Sequence, residues 1–404
     1  MNRRIPYDHW IILSLTVLLG MGFVVVYNAS SQKFLFKQLI AAMLGMLLLY
    51  AMMKIRYRVF NRNLVVVLLA VFSAALLLVP LVMSDPVKGA RRWIEINEYI
   101  RFQPSELAKI VLIILTAHFL ASYHQTGKPS GSNKGQEVFY FASASVLTIL
   151  VLLGKDMSTA ALMAMIVLIM FFLGGLRLPL VIGTIGAGSI AFTALIFSEG
   201  YRANRIRSFL NPDADPQGAG YHILQSLYSI GSGGLSGEGF GSGAQKLDFL
   251  PEAHTDFIFS AIGHETGLVG CLIVLTFFII FVFRAVRASY HSDTIFGSFL
   301  GLGLASVIGL QAFLNMSVAL SLCPTTGLPL PFISYGGSSI LMMLFATGII
   351  LNISGSPREK QRKRQVKQTQ KGPEVSSKSP DIVIHAPGAV KPAYRQATLW
   401  EESA

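Results

Sequence analysis

Residues 250–265, LPEAHTDFIFSAIGHE, place His254, Thr255 and Asp256 directly before an apolar run and return to a carboxylate at Glu265. A carboxylate at the water boundary can stay ionised and take a proton from an attacking hydroxyl. Glu265, nine positions further along, lies roughly 13 Å deeper and about 180° around a helix axis, so the two cannot form an acid/base dyad on one face. A buried Glu265 needs a partner or a raised pKa. Asp256 also has the residue type of a helix N-cap, which leaves base and cap as two readings of one side chain.

Three further stretches carry polar groups where they are expensive. In FQPSELAKIVL (102–112) Pro104 and Ser105 open a helix, and Glu106 and Lys109 stand three apart on one face, within pairing reach. The pair either ties helices together or lines a substrate cavity. GKDMSTA (154–160) reads as a hairpin turn in which Asp156 caps the following helix, a role compatible with facing a cavity. LCPTTGLPLPFISYGGSS (322–339) holds three prolines and three glycines and cannot be a regular helix. Near a membrane such backbone is tolerated only when buried in protein or lining a wet cavity. Together with GSGGLSGEGFGSG (231–243) it can turn backbone N–H groups toward an anion; a rigid turn is the other reading.

The elements that must position these residues are membrane helices. Of 404 residues, 52% are hydrophobic and 13% charged, and the mean hydropathy is +0.56, outside the balance of a soluble domain. Runs long enough to span occur near 10–28, 34–53, 63–83, 104–121, 138–154, 157–174, 178–198, 258–284, 296–320 and 336–353. The expected fold is an all-α polytopic bundle of ten transmembrane helices over residues 1–355, with both termini cytoplasmic. The first run lacks a small-residue cleavage site and reads as a retained helix.

This orientation puts Lys54, Arg56, Arg58, Arg62, Lys128, Lys134, Arg177, Arg284 and Arg287 inside, as the positive-inside rule requires. One large outer loop spans about 199–257. The tail, 356–404, opens with the basic PREKQRKRQVKQTQK and reads as disordered and lipid-facing. The charge of +12 thus reflects topology and membrane lipids, with no nucleic-acid module. Cys271 and Cys323 imply no disulfide framework.

Lys88, Arg91, Arg92, Arg101, Arg202, Arg205 and Arg207 fall outside, against the rule. Arginine suits bidentate contact with phosphate oxygens, so an outer-leaflet phosphate or diphosphate substrate fits. No GxxxxGK[ST] or HExxH segment and no cysteine cluster supports a nucleotide-driven pump or a zinc site.

Four ordered blocks, GARRW (89–93), FQPSELAK (102–109), QKLDFLPEAHTDFIF (245–259) and LPLPFISYGGSS (328–339), resemble the SEDS family (shape, elongation, division and sporulation) of bacterial cell-wall polymerases. The resemblance implies a multi-pass protein of the bacterial cytoplasmic membrane, a glycosyltransferase that polymerises lipid II on the outer face. Asp256 matches the family's catalytic aspartate. Trp93, Glu106, Lys109 and Glu265 match motif positions and are carried over as substrate-cavity residues, with Arg205 and Arg207 as candidates for the diphosphate. No tightly bound cofactor and no protein metal site is expected; a divalent cation, Mg or Mn, is the one the leaving diphosphate leaves room for.

His264 stands where the family commonly has a second acidic residue, Lys155–Ser158 departs from its usual pattern, and Ser317 replaces a usual glycine. KLDFLPEAHTDFIF and the basic tail favour the division type, acting at the septum with divisome proteins and a class B penicillin-binding protein, over the elongation type. A lipid II flippase and a non-catalytic scaffold are the alternatives of a different class.

Overall fold

With no water to take up backbone polar groups, apolar runs of this length have one economical solution, the helix, which pairs every N–H and C=O within itself. A computed structural model describes residues 7–29, 32–83, 90–95, 101–126, 134–175, 200–218, 220–241 and 254–355. It has helices α1 (His9–Ala29), α2 (Gln32–Lys54), α3 (Asn63–Met83), α4 (Pro104–Thr126), α5 (Lys134–Leu153), α6 (Met157–Leu173), α7 (Gly200–Leu210), α8 (Tyr221–Ser232), α9 (Ile258–Tyr290), α10 (Ile295–Ala319) and α11 (Gly337–Ser354). The helices α1–α6 and α9–α11 fall on expected spans; the expected span at 178–198 and the tail from 356 lie outside the described residues. Among the described residues seven helices are long and apolar enough to cross a membrane, and α5 and α6 carry shorter apolar stretches. The interior belongs to α4, whose apolar window is 83% buried against 28% for α2 and α3, with α10 and α11 beside it.

Local chemistry sets the helix ends. Pro104 opens α4 at a position that needs no N–H donor. Asp156 caps α6 by accepting from the Thr159 N–H, and Thr294 caps α10 by accepting from the Gly297 N–H.

One end of the bundle is tied by charge and amide contacts. Arg284 on α9 donates to both oxygens of Asp8, Arg58 pairs with Asp293, and Asn352 on α11 donates to the carbonyls of Met52, Met53 and Ile55. The hydrogen bond Arg58 donates to the Tyr57 side chain and the neighbouring Asp293 carboxylate hold the exposed Arg58 guanidinium above its already high pKa. This is the end that the distribution of Arg56, Arg58, Arg62, Arg284 and Arg287 assigns to the cytoplasm. At the other end lie an antiparallel two-residue ribbon, β1 (Ile94–Glu95) with β2 (Arg101–Phe102), the α5–α6 turn, residues 254–257 and the irregular segment 320–336.

The expected span 258–284 proves longer and broken. At 33 residues a straight α9 measures about 50 Å, beyond a hydrocarbon core of ~30 Å. It is interrupted at Gly267, with φ 64° and ψ −161°, a backbone region essentially reserved for glycine. In a continuous helix the His264 and Glu265 carbonyls would accept from the Leu268 and Val269 N–H groups. Here those carbonyls accept from the Glu238 and Gly239 N–H groups at 3.0 and 3.1 Å, and Leu268 and Val269 donate to the Gly234 and Leu235 carbonyls at 3.0 and 3.2 Å. The glycine-rich segment therefore threads into the broken helix and satisfies all four groups. Of the two readings open for this segment, the Glu238 and Gly239 N–H groups follow the structural one, while the Gly241 N–H bonds the Glu265 carboxylate. Replacement of Gly267 by alanine would set a Cβ 2.4 Å from the Gly237 nitrogen. Gly267→Ala is expected to lower the melting temperature of the detergent-solubilised protein by several degrees, whereas Gly20→Ala, with open space around it in α1, is expected to leave it unchanged or raised.

Candidate active site at the outer end of α9

The chain enters α9 through the turn 254–257, and its backbone there is captured before it can become helical. The His254 carbonyl accepts from the Tyr335 N–H at 2.9 Å, the Thr255 carbonyl from Ser334 Oγ at 2.6 Å, and the Asp256 carbonyl from Asn315 Nδ2 at 2.9 Å. With these three acceptors engaged from outside, the first helical acceptor is the Phe257 carbonyl, bonded by Ser260 and Ala261. Phe257 takes the N-cap position, with no side-chain acceptor. The reading of Asp256 as the cap of α9 is thereby corrected: it stands one residue outside that position. The Asp256 side chain is half-buried and faces Gly327, where a Cβ would lie 3.7 Å from Asp256 Oδ2. Gly327 has φ +74°, which a side chain there would strain.

The loop carrying Gly327 has little internal pairing, and its carbonyls are taken up by side chains from three helices. Arg205 on α7 donates to Thr325 O at 3.2 Å, Asn315 on α10 to Leu328 O at 2.8 Å, Gln311 on α10 to Pro329 O at 2.9 Å, and Gln38 on α2 to Ile333 O at 3.2 Å. Ser334 Oγ closes the segment on itself by accepting from the Leu330 N–H at 2.8 Å. Phe34, His254 and Tyr335 pack as a ring cluster beside the turn, with centroids 4.8 to 5.8 Å apart. Burial raises the Tyr335 pKa, and nearby Arg101 offsets part of that rise, so its hydroxyl stays protonated.

Glu106 and Lys109 do pair, at 2.9 Å, with side chains 3% and 0% exposed. Lys109 Nζ also donates to Gln311 Oε1 at 2.8 Å, which links the pair to the Gly327 loop. The ammonium is thus directed into the bundle. Asp156, besides capping α6, accepts from Gln103 Nε2 and Ser105 Oγ, both at 2.9 Å, and Arg92 approaches it at 3.7 Å. Trp93 is half-buried just before β1, and Arg207 is exposed on α7. Glu265 is fully buried at the break in α9, where its carboxylate accepts from Asn28 Nδ2 at 3.2 Å and from the Gly241 backbone N–H.

The structure thus gathers Arg205, Lys109 and Glu106 around one loop with Asp256, while Glu265 sits deeper at the break. Gln311, Asn315 and Ser334 went unread in the sequence; the signal for the first two was a pair of amides four apart inside an otherwise apolar span. Removing one member of a buried ion pair leaves the other uncompensated, at about 3–5 kcal/mol. Lys109→Met and Glu106→Gln are each expected to lower thermal stability sharply, and the double variant is expected to recover part of the loss; melting curves of the three proteins test this.

Comparison with known proteins places this geometry. The profile of the FtsW, RodA and SpoVE cell cycle proteins matches residues 8–359. The chain is 40% identical over 373 residues to a probable peptidoglycan glycosyltransferase FtsW of Trichlorobacter lovleyi, covering 87% of this chain and 94% of that one. It is 34% identical over 370 residues to stage V sporulation protein E of Bacillus subtilis, covering 87% and 98%. Among solved structures, a chain of a peptidoglycan synthase complex that coordinates polymerization and crosslinking is 27% identical and superposes with a TM-score of 0.70 over 86% of this chain and 97% of that one. The rod shape determining protein RodA of Thermus thermophilus, also 27% identical, gives 0.64 over 87% and 98%. This multi-pass membrane protein, with Asp256 held at the outer end of a broken helix, belongs to the FtsW/RodA/SpoVE family of cell cycle proteins.

Proposed function

We propose that the chain is a peptidoglycan glycosyltransferase that polymerises lipid II on the outer face of the cytoplasmic membrane, with Asp256 as general base. The observation that carries the assignment of the base is the placement of the Asp256 carboxylate. It lies outside the helix cap, half-buried, and against a loop residue without a side chain. In the reaction an acceptor sugar hydroxyl attacks the anomeric carbon of the donor. The C–O bond to the diphosphate breaks, the lipid diphosphate leaves, and the hydroxyl proton passes to the Asp256 carboxylate. Attack from the face opposite the leaving group inverts the anomeric centre.

The negative charge that develops on the diphosphate calls for fixed positive groups. Arg207, exposed on α7, and Arg205, on the same helix and bonded to the loop at Thr325, are the candidates. Lys109 supports the loop from within. Among the described residues no group of three His, Cys, Asp or Glu side chains is arranged to hold a metal ion. A divalent cation, Mg or Mn, held by the diphosphate oxygens would add to this positive charge. A class B penicillin-binding protein that crosslinks the new glycan is the proposed partner, and the division septum, with its divisome proteins, the proposed site of action. The 40% identity to a relative named FtsW supports the division role over elongation.

Glycan formation from labelled lipid II, followed for wild type and for Asp256→Asn of unchanged melting temperature, tests the assignment. Loss of a general base is expected to slow polymerisation by about 100-fold or more. Equal polymer from both proteins would remove Asp256 from the chemistry.

A further inference from the structure

Asn315 and Gln311 lie one turn apart on α10, and the orientation of each amide is fixed by its neighbours. A lysine only donates, so the contact from Lys109 Nζ at 2.8 Å assigns the oxygen of Gln311 to that side and its Nε2 to Pro329 O at 2.9 Å. Asn315 faces two carbonyls, Asp256 O at 2.9 Å and Leu328 O at 2.8 Å, and only its NH2 group can serve both. Its own Oδ1 is left buried without a hydrogen-bond partner. An orientation that leaves an acceptor unsatisfied marks the two donated bonds as the ones this side chain is there to make.

These two bonds join the parts of the site that must stay in register. One end grips the backbone of Asp256; the other grips the residue after Gly327, the position its carboxylate faces. We propose that Asn315 is the positioning residue for Asp256, holding the base at a set distance from the Gly327 loop, with Gln311 anchoring the same loop to the buried Lys109–Glu106 pair. The inference rests on Asp256 acting as the base. Asn315 touches backbone on both sides, so its loss misplaces the base without removing a substrate contact. A displacement of about 1 Å at a reacting group is enough to slow a reaction roughly 100-fold.

Initial rates of polymerisation by the purified full-length protein, measured against lipid II concentration, test this. Asn315→Leu removes both donors at similar volume, and Asn315→Asp keeps the size while turning donors into acceptors. Both are expected to lower kcat by roughly 100-fold with KM within about twofold. Asn315→Ser, which keeps one donor, is expected to fall between them and wild type, and it decides the matter if the leucine variant does not fold.

Asn352 makes the same kind of amide-to-carbonyl clamp at the far end of the bundle. Asn352→Leu is expected to lower the melting temperature and leave kcat unchanged. A wild-type kcat in any folded Asn315 variant would overturn the inference, as would a raised KM with kcat preserved, the mark of a direct substrate contact. Asp256→Asn in the same assay separates the two levels. If it is active, the base assignment itself fails; if it is inactive beside a fully active Asn315→Leu, only the positioning role fails.

Discussion

Backbone that leaves the helical pattern within a membrane protein must find other partners for its N–H and C=O groups, and that requirement organises this site. The chain abandons the helix at two places close to Asp256 and repairs each differently. In the segment 320–336, side chains from α2, α7 and α10 take up the carbonyls. At Gly267 a second stretch of backbone, 234–239, enters the gap and pairs with both severed ends. Between these repairs lies a short piece of helix, 258–266, that begins two residues after Asp256. It is held at its outer end by the loop and α10, and at its inner end by the threaded segment. Along its side runs α8, joined through Ser226 to Ser260 at 2.6 Å and to the Ala319 carbonyl at 2.7 Å. The carboxylate is therefore carried by a short, multiply anchored element, the kind of support that a precisely placed base needs.

The buried charges act through the same scaffold. Lys109 and Glu106 neutralise each other within the bundle, and their reach toward the site runs through Gln311 and the carbonyl of Pro329. A buried pair of this kind contributes little net stability compared with an apolar core, but its geometry fixes which partner each group can have. At the opposite end, Asp8 with Arg284 and Arg58 with Asp293 tie the connectors together at the surface, where ion pairs are screened and serve mainly to set register. The outer end holds its backbone by the amides of Gln38, Gln311 and Asn315, the Ser334 hydroxyl and the Arg205 guanidinium, while Arg207 on the same helix is exposed.

Much of this was legible in the sequence because apolar length and charge asymmetry are strong signals in a membrane protein. Each expected span within the described residues is a helix, and Asp156 caps α6 as its place before Met157-Ser158-Thr159 suggested. The Glu106–Lys109 pairing followed from their spacing. Two features were out of reach. The break at Gly267 directly follows His264-Glu265-Thr266 within an otherwise apolar run, and a glycine inside such a run reads the same whether or not a distant segment threads into it. The capture of the Asp256 carbonyl by Asn315 joins residues 59 positions apart, so local preference pointed to a cap where long-range bonds had already engaged the turn. The amides at 311 and 315 were the visible clue: polar groups inside an apolar span have a partner that only the fold can name.

The direct measurement is an experimental structure of the full-length Asp256→Asn protein with lipid II bound. The geometry described above requires an acceptor hydroxyl within hydrogen-bond reach of the residue 256 side chain, about 2.6–3.2 Å, beside Gly327, with the donor diphosphate toward the outer arginines. Sugar bound away from that carboxylate position, for instance at the Gly267 break beside Glu265, would contradict it.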